Sequence, residues 1–296
     1  MNDYSQTDEY ENINKKIFRA PVQDQELGNL VFYLHSIYEY VFNGHVGAPI
    51  HEKLQNGAKV LEFGKLLLIE ISSCESDLWV TEVAAEYPNT EFYVVDFNVP
   101  ASNNDDDNIT FIKCDILQKL PFPDNEFDYV FSRDKFLFFE KDNFYDYLSE
   151  ALRILKPGGW LEVEYLFNHK ITNGPVAMQI IDAWNAWFKS YNIVYDFLEN
   201  FERYLQETGK VESMSHQLVK VPNGCSNSFG EFTCELTIFF MKSTKDYLAP
   251  FMNISFEVFD SLVSIAESEM RAKDCDLSFQ MKRILARKKI SSSKEN

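Results

Sequence analysis

The chain has 296 residues, 45% hydrophobic and 15% aromatic, which supports a packed fold and excludes wholesale disorder. Its 46 acidic residues against 28 basic leave a net charge of -18. Phosphate backbones demand clustered Lys and Arg, so a generic nucleic-acid binder is excluded.

Residues 1–24 are polar and acidic, without a basic and then apolar leader, and are expected to form a flexible arm rather than a signal peptide. Helical spacing of apolar residues predicts a helix over Leu27–Phe42, stopped by Asn43-Gly44, and a short one from His51 to Leu54, closed by Asn56-Gly57. Strands are predicted at Lys59–Phe63, Glu91–Asp96, Ile109–Lys113, Phe127–Ser132 and Trp160–Leu166. Helices are predicted at Asp77–Tyr87 and Asn143–Leu155, with Pro157-Gly158-Gly159 as a sharp turn. Beyond them, Val176–Thr208 reads as mostly helical, Val211–Val219 as a strand, Glu231–Pro250 and Ser255–Lys273 as helices, and Leu277–Ala286 as a last strand. The expectation is one domain over residues 25–290, with helical elaborations at 27–54 and 176–273 and a short tail at 291–296.

No apolar run approaches the ~20 residues of a membrane span. The five cysteines are odd in number and widely spaced, with no CxxC, which predicts reduced thiols and a cytoplasmic location. The five histidines, His35, His45, His51, His169 and His216, show no metal spacing such as HExxH, so no metal is expected.

Strands alternating with helices over residues 57–166 imply βαβ units and a parallel sheet with right-handed crossovers. Ligands bind such sheets beyond the carboxyl ends of the strands. That rule singles out Glu62-Phe63-Gly64, Asp96-Phe97, Cys114-Asp115 and Ser132-Arg133-Asp134.

Within this stretch, PFPDNEFDYVFSRD (121–134) and EALRILKPGGWLEVEY (150–165) resemble the core of class I S-adenosylmethionine-dependent methyltransferases. HEKLQNGAKVLEFG (51–64) is similar to the approach to the family's first strand, and AAEYPNTEFYVVDFN (84–98) to its second. LSFQMKRILARKK (277–289) is similar to its seventh, antiparallel strand. The flavour is that of fungal methyltransferases. The resemblance implies an α/β fold: a Rossmann-like seven-stranded, mostly parallel sheet with helices on both faces and an antiparallel last strand. It also implies S-adenosyl-L-methionine as cofactor and a small-molecule substrate.

Carried onto this chain, the resemblance makes Asp96 the acceptor for the ribose hydroxyls, with Phe97 beside it. Asp115 would accept from the adenine amino group, and Ile116 would pack on the ring. Glu62 would face the cationic amino end, behind Gly64, and Ser132 and Arg133 would line the mouth where methyl transfer occurs. No catalytic base is assigned.

One departure stands out. The family's first strand runs into a glycine-rich loop, whereas here only Gly64 survives in Leu61–Asp77. Asp96 follows Gly64 by 32 positions, where about 20 is usual for such an acid. Two registers are open: Lys59–Phe63 as the strand, which the family match favours, or Leu66–Ile71 with Glu70 as the acid. The altered loop predicts weakened cofactor binding, and it leaves open a non-catalytic methyltransferase-like protein that binds a partner. A nicotinamide dehydrogenase is disfavoured, because no GxGxxG follows the first strand. Trp184 and Trp187, three apart on one helix, read as core or lid packing, with an aromatic substrate wall as the alternative.

Overall fold

The computed structural model describes residues 24–64, 78–96, 107–116, 118–134, 141–172, 174–190, 196–224 and 227–290. The expected N-terminal arm, the Lys65–Asp77 stretch, Phe97 and the tail at 291–296 lie outside them. The described elements in chain order are α1 (Asp24–Phe42), α2 (His51–Asn56), β1 (Lys59–Phe63), α3 (Leu78–Glu86), β2 (Glu91–Asp96), β3 (Ile109–Lys113) and β4 (Phe127–Arg133). They continue with α4 (Lys141–Ile154), β5 (Leu155–Thr172), α5 (Pro175–Ser190), α6 (Asp196–Glu207), β6 (Val211–Pro222), α7 (Ser228–Ser243), α8 (Lys245–Phe251), α9 (Phe256–Met270) and β7 (Asp276–Lys288).

The seven strands form one sheet in the order β3-β2-β1-β4-β5-β7-β6. The pairs among β1 to β5 are parallel, and β7 runs antiparallel to both β5 and β6. The order reverses direction at β1, between β2 and β4, which makes the β1 carboxyl end the topological switch point of the sheet. The register Lys59–Phe63 is the one the sheet uses, with Phe63 opposite Val95 on one side and Ser132 on the other.

Two elements differ from expectation. The Pro157-Gly158-Gly159 turn lies inside β5, as an irregularity where Phe127 pairs with Leu155 but Tyr129 pairs with Trp160. Gly158 there has φ +77°, and a Cβ at Gly159 would lie 2.9 Å from the Asp128 carbonyl, so both positions need glycine. The helix expected over Glu231–Pro250 is broken at Thr244, whose hydroxyl donates to the Met241 carbonyl and ends α7 before α8 begins.

Hydrocarbon covers one face of the sheet. Leu61, Phe63, Val130, Leu161, Val163 and Ile284 pack there against Phe144, Tyr147 and Leu152 of α4 and Phe201 and Leu205 of α6. On the other face α2 and α3 pack over Val60, Phe92, Val94 and Phe131, while Ile37, Tyr38 and Phe42 of α1 sit on β6 and β7. A further cluster unites α5, α7, α8 and α9. Trp184 and Trp187 are buried in it, Trp184 stacking on Phe188 and Phe240, so packing is their role. Among the described residues no single helix is long and apolar enough to cross a membrane; α8 and α9 pass such a test only as a pair bent by 107°.

Candidate functional site

At the switch point Gly64 extends the β1–β2 ladder, its N–H donating to the Val95 carbonyl at 2.8 Å. The Asp96 side chain crosses directly over it: a Cβ at Gly64 would lie 2.5 Å from Asp96 Oδ2 and 2.6 Å from the Val95 carbonyl. Any side chain at 64 would therefore displace the carboxylate.

Asp115 follows β3, reached from Asp96 through the Cys114 N–H, which donates to the Asp96 carbonyl at 2.9 Å. Burial pushes the Cys114 thiol up to about 11, and the charges of Asp115 and Asp96 add to the rise. Both carboxylates thus act on one thiol across neighbouring strand ends. Ile116 is half-buried and packs against the edge of the apolar core. Gly64, Asp96, Asp115 and Ile116 line one rim, over the ends of β1, β2 and β3. Phe97 lies outside the described residues.

The other sequence candidates divide between the two faces of the sheet. Ser132 is fully buried beside Tyr147 of α4, in the layer beneath the apolar face. Arg133 projects to the opposite face, where its Nε donates to Glu164 Oε2 at 2.7 Å and its Nη1 to His35 Nδ1 at 3.0 Å. Its guanidinium lies over the Tyr38 ring, 4.5 Å from the centroid. Burial works against the Arg133 charge, but Glu164, Tyr38 and Glu62 overcome it and hold the pKa above the ordinary value. Glu62 on β1 stands opposite Phe131, two positions before Arg133, and its charge reaches that guanidinium.

Asp134 closes β4 with φ +52°, a left-handed conformation that costs a non-glycine residue energy and marks a constrained turn. Its Oδ2 accepts from the Tyr38 hydroxyl at 2.6 Å and its Oδ1 from the Leu166 N–H at 3.0 Å. Burial pushes the Asp134 carboxyl up to about 6 despite those two donors. The Tyr38 hydroxyl thus donates to a carboxyl that titrates close to neutral pH, at the mouth of the sheet.

Behind the mouth lies a buried charged layer that strand-pattern reading missed. Glu162 accepts from the Gly47 and Ala48 N–H groups, both at 2.9 Å, and from the Tyr129 hydroxyl at 2.8 Å. Arg283 bridges Glu162 at 2.9 Å and Glu164 at 2.6 Å, and donates to the Gly44 carbonyl at 2.8 Å. Burial pushes the Glu162 carboxyl up, against the pull of Arg283. A Cβ at Gly47 would lie 2.7 Å from Arg283 Cδ, so glycine lets the loop after α1 close over the guanidinium. With Arg133, two carboxylates meet two guanidiniums, and the layer ties the α1–α2 connection to the sheet.

The family described as methyltransferase domain matches residues 76–163, the span from α3 into β5. Over that span the chain is similar to this methyltransferase family. It is 25% identical over 185 residues to Methyltransferase str3 of Strobilurus tenacellus, covering 61% of this chain and 62% of that protein. The match therefore spans less than two thirds of that relative's length. Among solved structures, phosphoethanolamine N-methyltransferase 2 of Haemonchus contortus in complex with S-adenosyl-L-methionine has a TM-score of 0.48 and 19% identity, covering 92% of this chain and 58% of that one. A SAM dependent methyltransferase from Archaeoglobus fulgidus has a TM-score of 0.43 and 13% identity, with 86% and 99% covered.

Proposed function

We propose that this chain is an S-adenosyl-L-methionine-dependent methyltransferase acting on a small molecule, with weakened cofactor affinity. The single observation that carries the reading is the Asp96 carboxylate folded over Gly64 at the switch point of the sheet. There Asp96 would offer a pair of ribose hydroxyls an anionic acceptor, and Gly64 leaves the room that its carboxylate occupies. In this reading Asp96 and Phe97 hold the ribose, Asp115 and Ile116 the adenine, and Glu62 the cationic amino end. Ser132 backs the floor, and Arg133 fixes the wall beside Glu62.

When bound, the sulfonium supplies an activated methyl group. The chain's own work is orientation and exclusion of water. Tyr38 and Asp134 are the pair suited to hold or accept a proton from a nucleophile that must lose one, since a carboxyl with a pKa of about 6 serves near neutral pH. The net charge of -18 favours a small molecule over a nucleic acid as acceptor. A second reading, a non-catalytic partner-binding protein, is favoured by the glycine-poor Lys65–Asp77 stretch.

Calorimetric titration with S-adenosylhomocysteine separates the two. The expected result is measurable but weak binding by the full chain, reduced roughly 10- to 100-fold in Asp96→Asn through loss of a charged acceptor. No binding at any accessible concentration, or equal binding by the variant, would overturn the cofactor reading. Affinity tighter than low micromolar would overturn the weakened-affinity part alone.

A further inference from the structure

His35, His45 and Glu82 come from α1, the loop after it, and α3, and their ligand atoms lie within 4.8 Å of one another. The two imidazole rings stack at 5.5 Å, and both Nε2 atoms approach Glu82 Oε2, at 2.8 Å from His35 and 3.2 Å from His45. The spacing would suit a divalent cation, but the neighbour on the far side of His35 decides otherwise. A guanidinium can only donate, so the Arg133 contact makes His35 Nδ1 an acceptor. The neutral ring then carries its proton on Nε2 and donates it to Glu82, leaving no lone pair there for a metal. A metal-bound histidine also gives its other N–H to an acceptor, and Arg133 is the reverse of one.

We propose that His35 is a positioning residue, a neutral imidazole that latches α1 and Arg133 together over the mouth of the site and releases them when it is protonated. The imidazole joins three elements: α1 through its own backbone, β4 through Arg133, and α3 through Glu82. A second proton would have to sit on Nδ1, 3.0 Å from a buried guanidinium. It would remove the acceptor and place two cations in contact. The charged and titratable groups facing the latch are Arg133 on β4, Glu82 on α3 and His45 in the loop, with Glu39 of α1 beyond His45 at 3.7 Å. Glu164 and Glu62 flank Arg133, and Tyr38 with Asp134 lies on its other side. Burial and then Arg133 lower the His35 pKa, which Glu82 only partly offsets. The direction gives the sign: the latch is complete above the ordinary histidine value and is lost as pH falls through the lowered one.

The proposal rests on the reading above only in taking the β4 end as the mouth. Its test is amide hydrogen exchange of α1 in the full chain between about pH 7.5 and 5, corrected for intrinsic rates, in wild type and His35→Gln. A glutamine amide accepts from Arg133 and donates to Glu82 without titrating. Wild type should lose α1 protection roughly tenfold on acidification, while His35→Gln stays protected throughout. An equal acid loss in both, or no protection in the variant at neutral pH, would overturn the latch. Nitrogen NMR of the wild-type ring tests it without a variant: a proton on Nε2 is expected, and one on Nδ1 would overturn it. The S-adenosylhomocysteine titration is independent. A chain that binds no cofactor but shows the exchange pattern would lose the cofactor reading and keep the latch.

Discussion

Toward α4 and α6, strands β4, β5 and β7 present Val130, Val163 and Ile284; toward α1 and α2, the same strands present Arg133, Glu164 and Arg283. Both sets are buried or nearly so. The apolar set gains by leaving water and cares little about direction. The charged set has little to gain from burial, because desolvation offsets much of the attraction between partners. What it provides is direction: Glu162 is gripped by two loop amides, Arg283 by a loop carbonyl, and Arg133 by His35. Hydrocarbon holds the sheet together, and the charged layer sets where α1 and its loop stand over the strand ends.

The largest test of that contrast removes one charge. Arg283→Ala leaves Glu162 and Glu164 buried without their shared cation, and should cost about 3–5 kcal/mol in denaturant unfolding. Replacing Arg283 together with both glutamates by apolar residues of similar volume should recover much of that stability but leave the α1–α2 loop more accessible to protease. Recovery of both would mean that the charges carry no directional role.

A smaller effect is read in pH. The folded-state pKa of Asp134 is raised to about 6 from 3.8, so the native state holds its proton more tightly than the unfolded chain. Its contribution to stability is therefore full below the unfolded value and falls as pH rises toward 6, by up to about 3 kcal/mol. Asp134→Asn should flatten the stability curve between about pH 4 and 6, measured by denaturant midpoints at each pH. An unchanged slope would show that Asp134 titrates at its ordinary value, where it is too weak a base to take a proton efficiently near neutral pH.

The same contrast explains what the sequence made legible. The strand bounds at Lys59–Phe63, Glu91–Asp96 and Ile109–Lys113 follow from short apolar runs cut by turn residues. The proximity of Gly64 to Asp96 follows in turn from adjacent parallel strands. In WLEVEYL, by contrast, Glu162 and Glu164 alternate with Leu161, Val163 and Tyr165, the pattern of a strand with one wet face. Only the loop after α1, more than a hundred residues away in the chain, turns that face into a buried one. His35, His45 and Glu82 are hidden for the same reason: no local spacing joins them, and a histidine's role is set by what meets each nitrogen. Ser132 and Arg133 cannot form one lining, because consecutive strand residues face opposite ways.

The smallest change gives the control. Ile284 is the chain neighbour of Arg283 and lies on the same strand, fully buried, facing α4 and α6 instead of α1. Ile284→Val removes one methylene and should cost about 0.5–1.5 kcal/mol, the transfer energy plus a small cavity. The loss should vary little with pH, because the substitution changes no charge. Amide exchange in α1 should rise only as much as global stability falls. If Ile284→Val instead loosened α1 as strongly as Arg283→Ala, the position of that helix would depend on sheet packing in general. A response confined to Arg283 would leave the charged layer as the element that places α1 over the site.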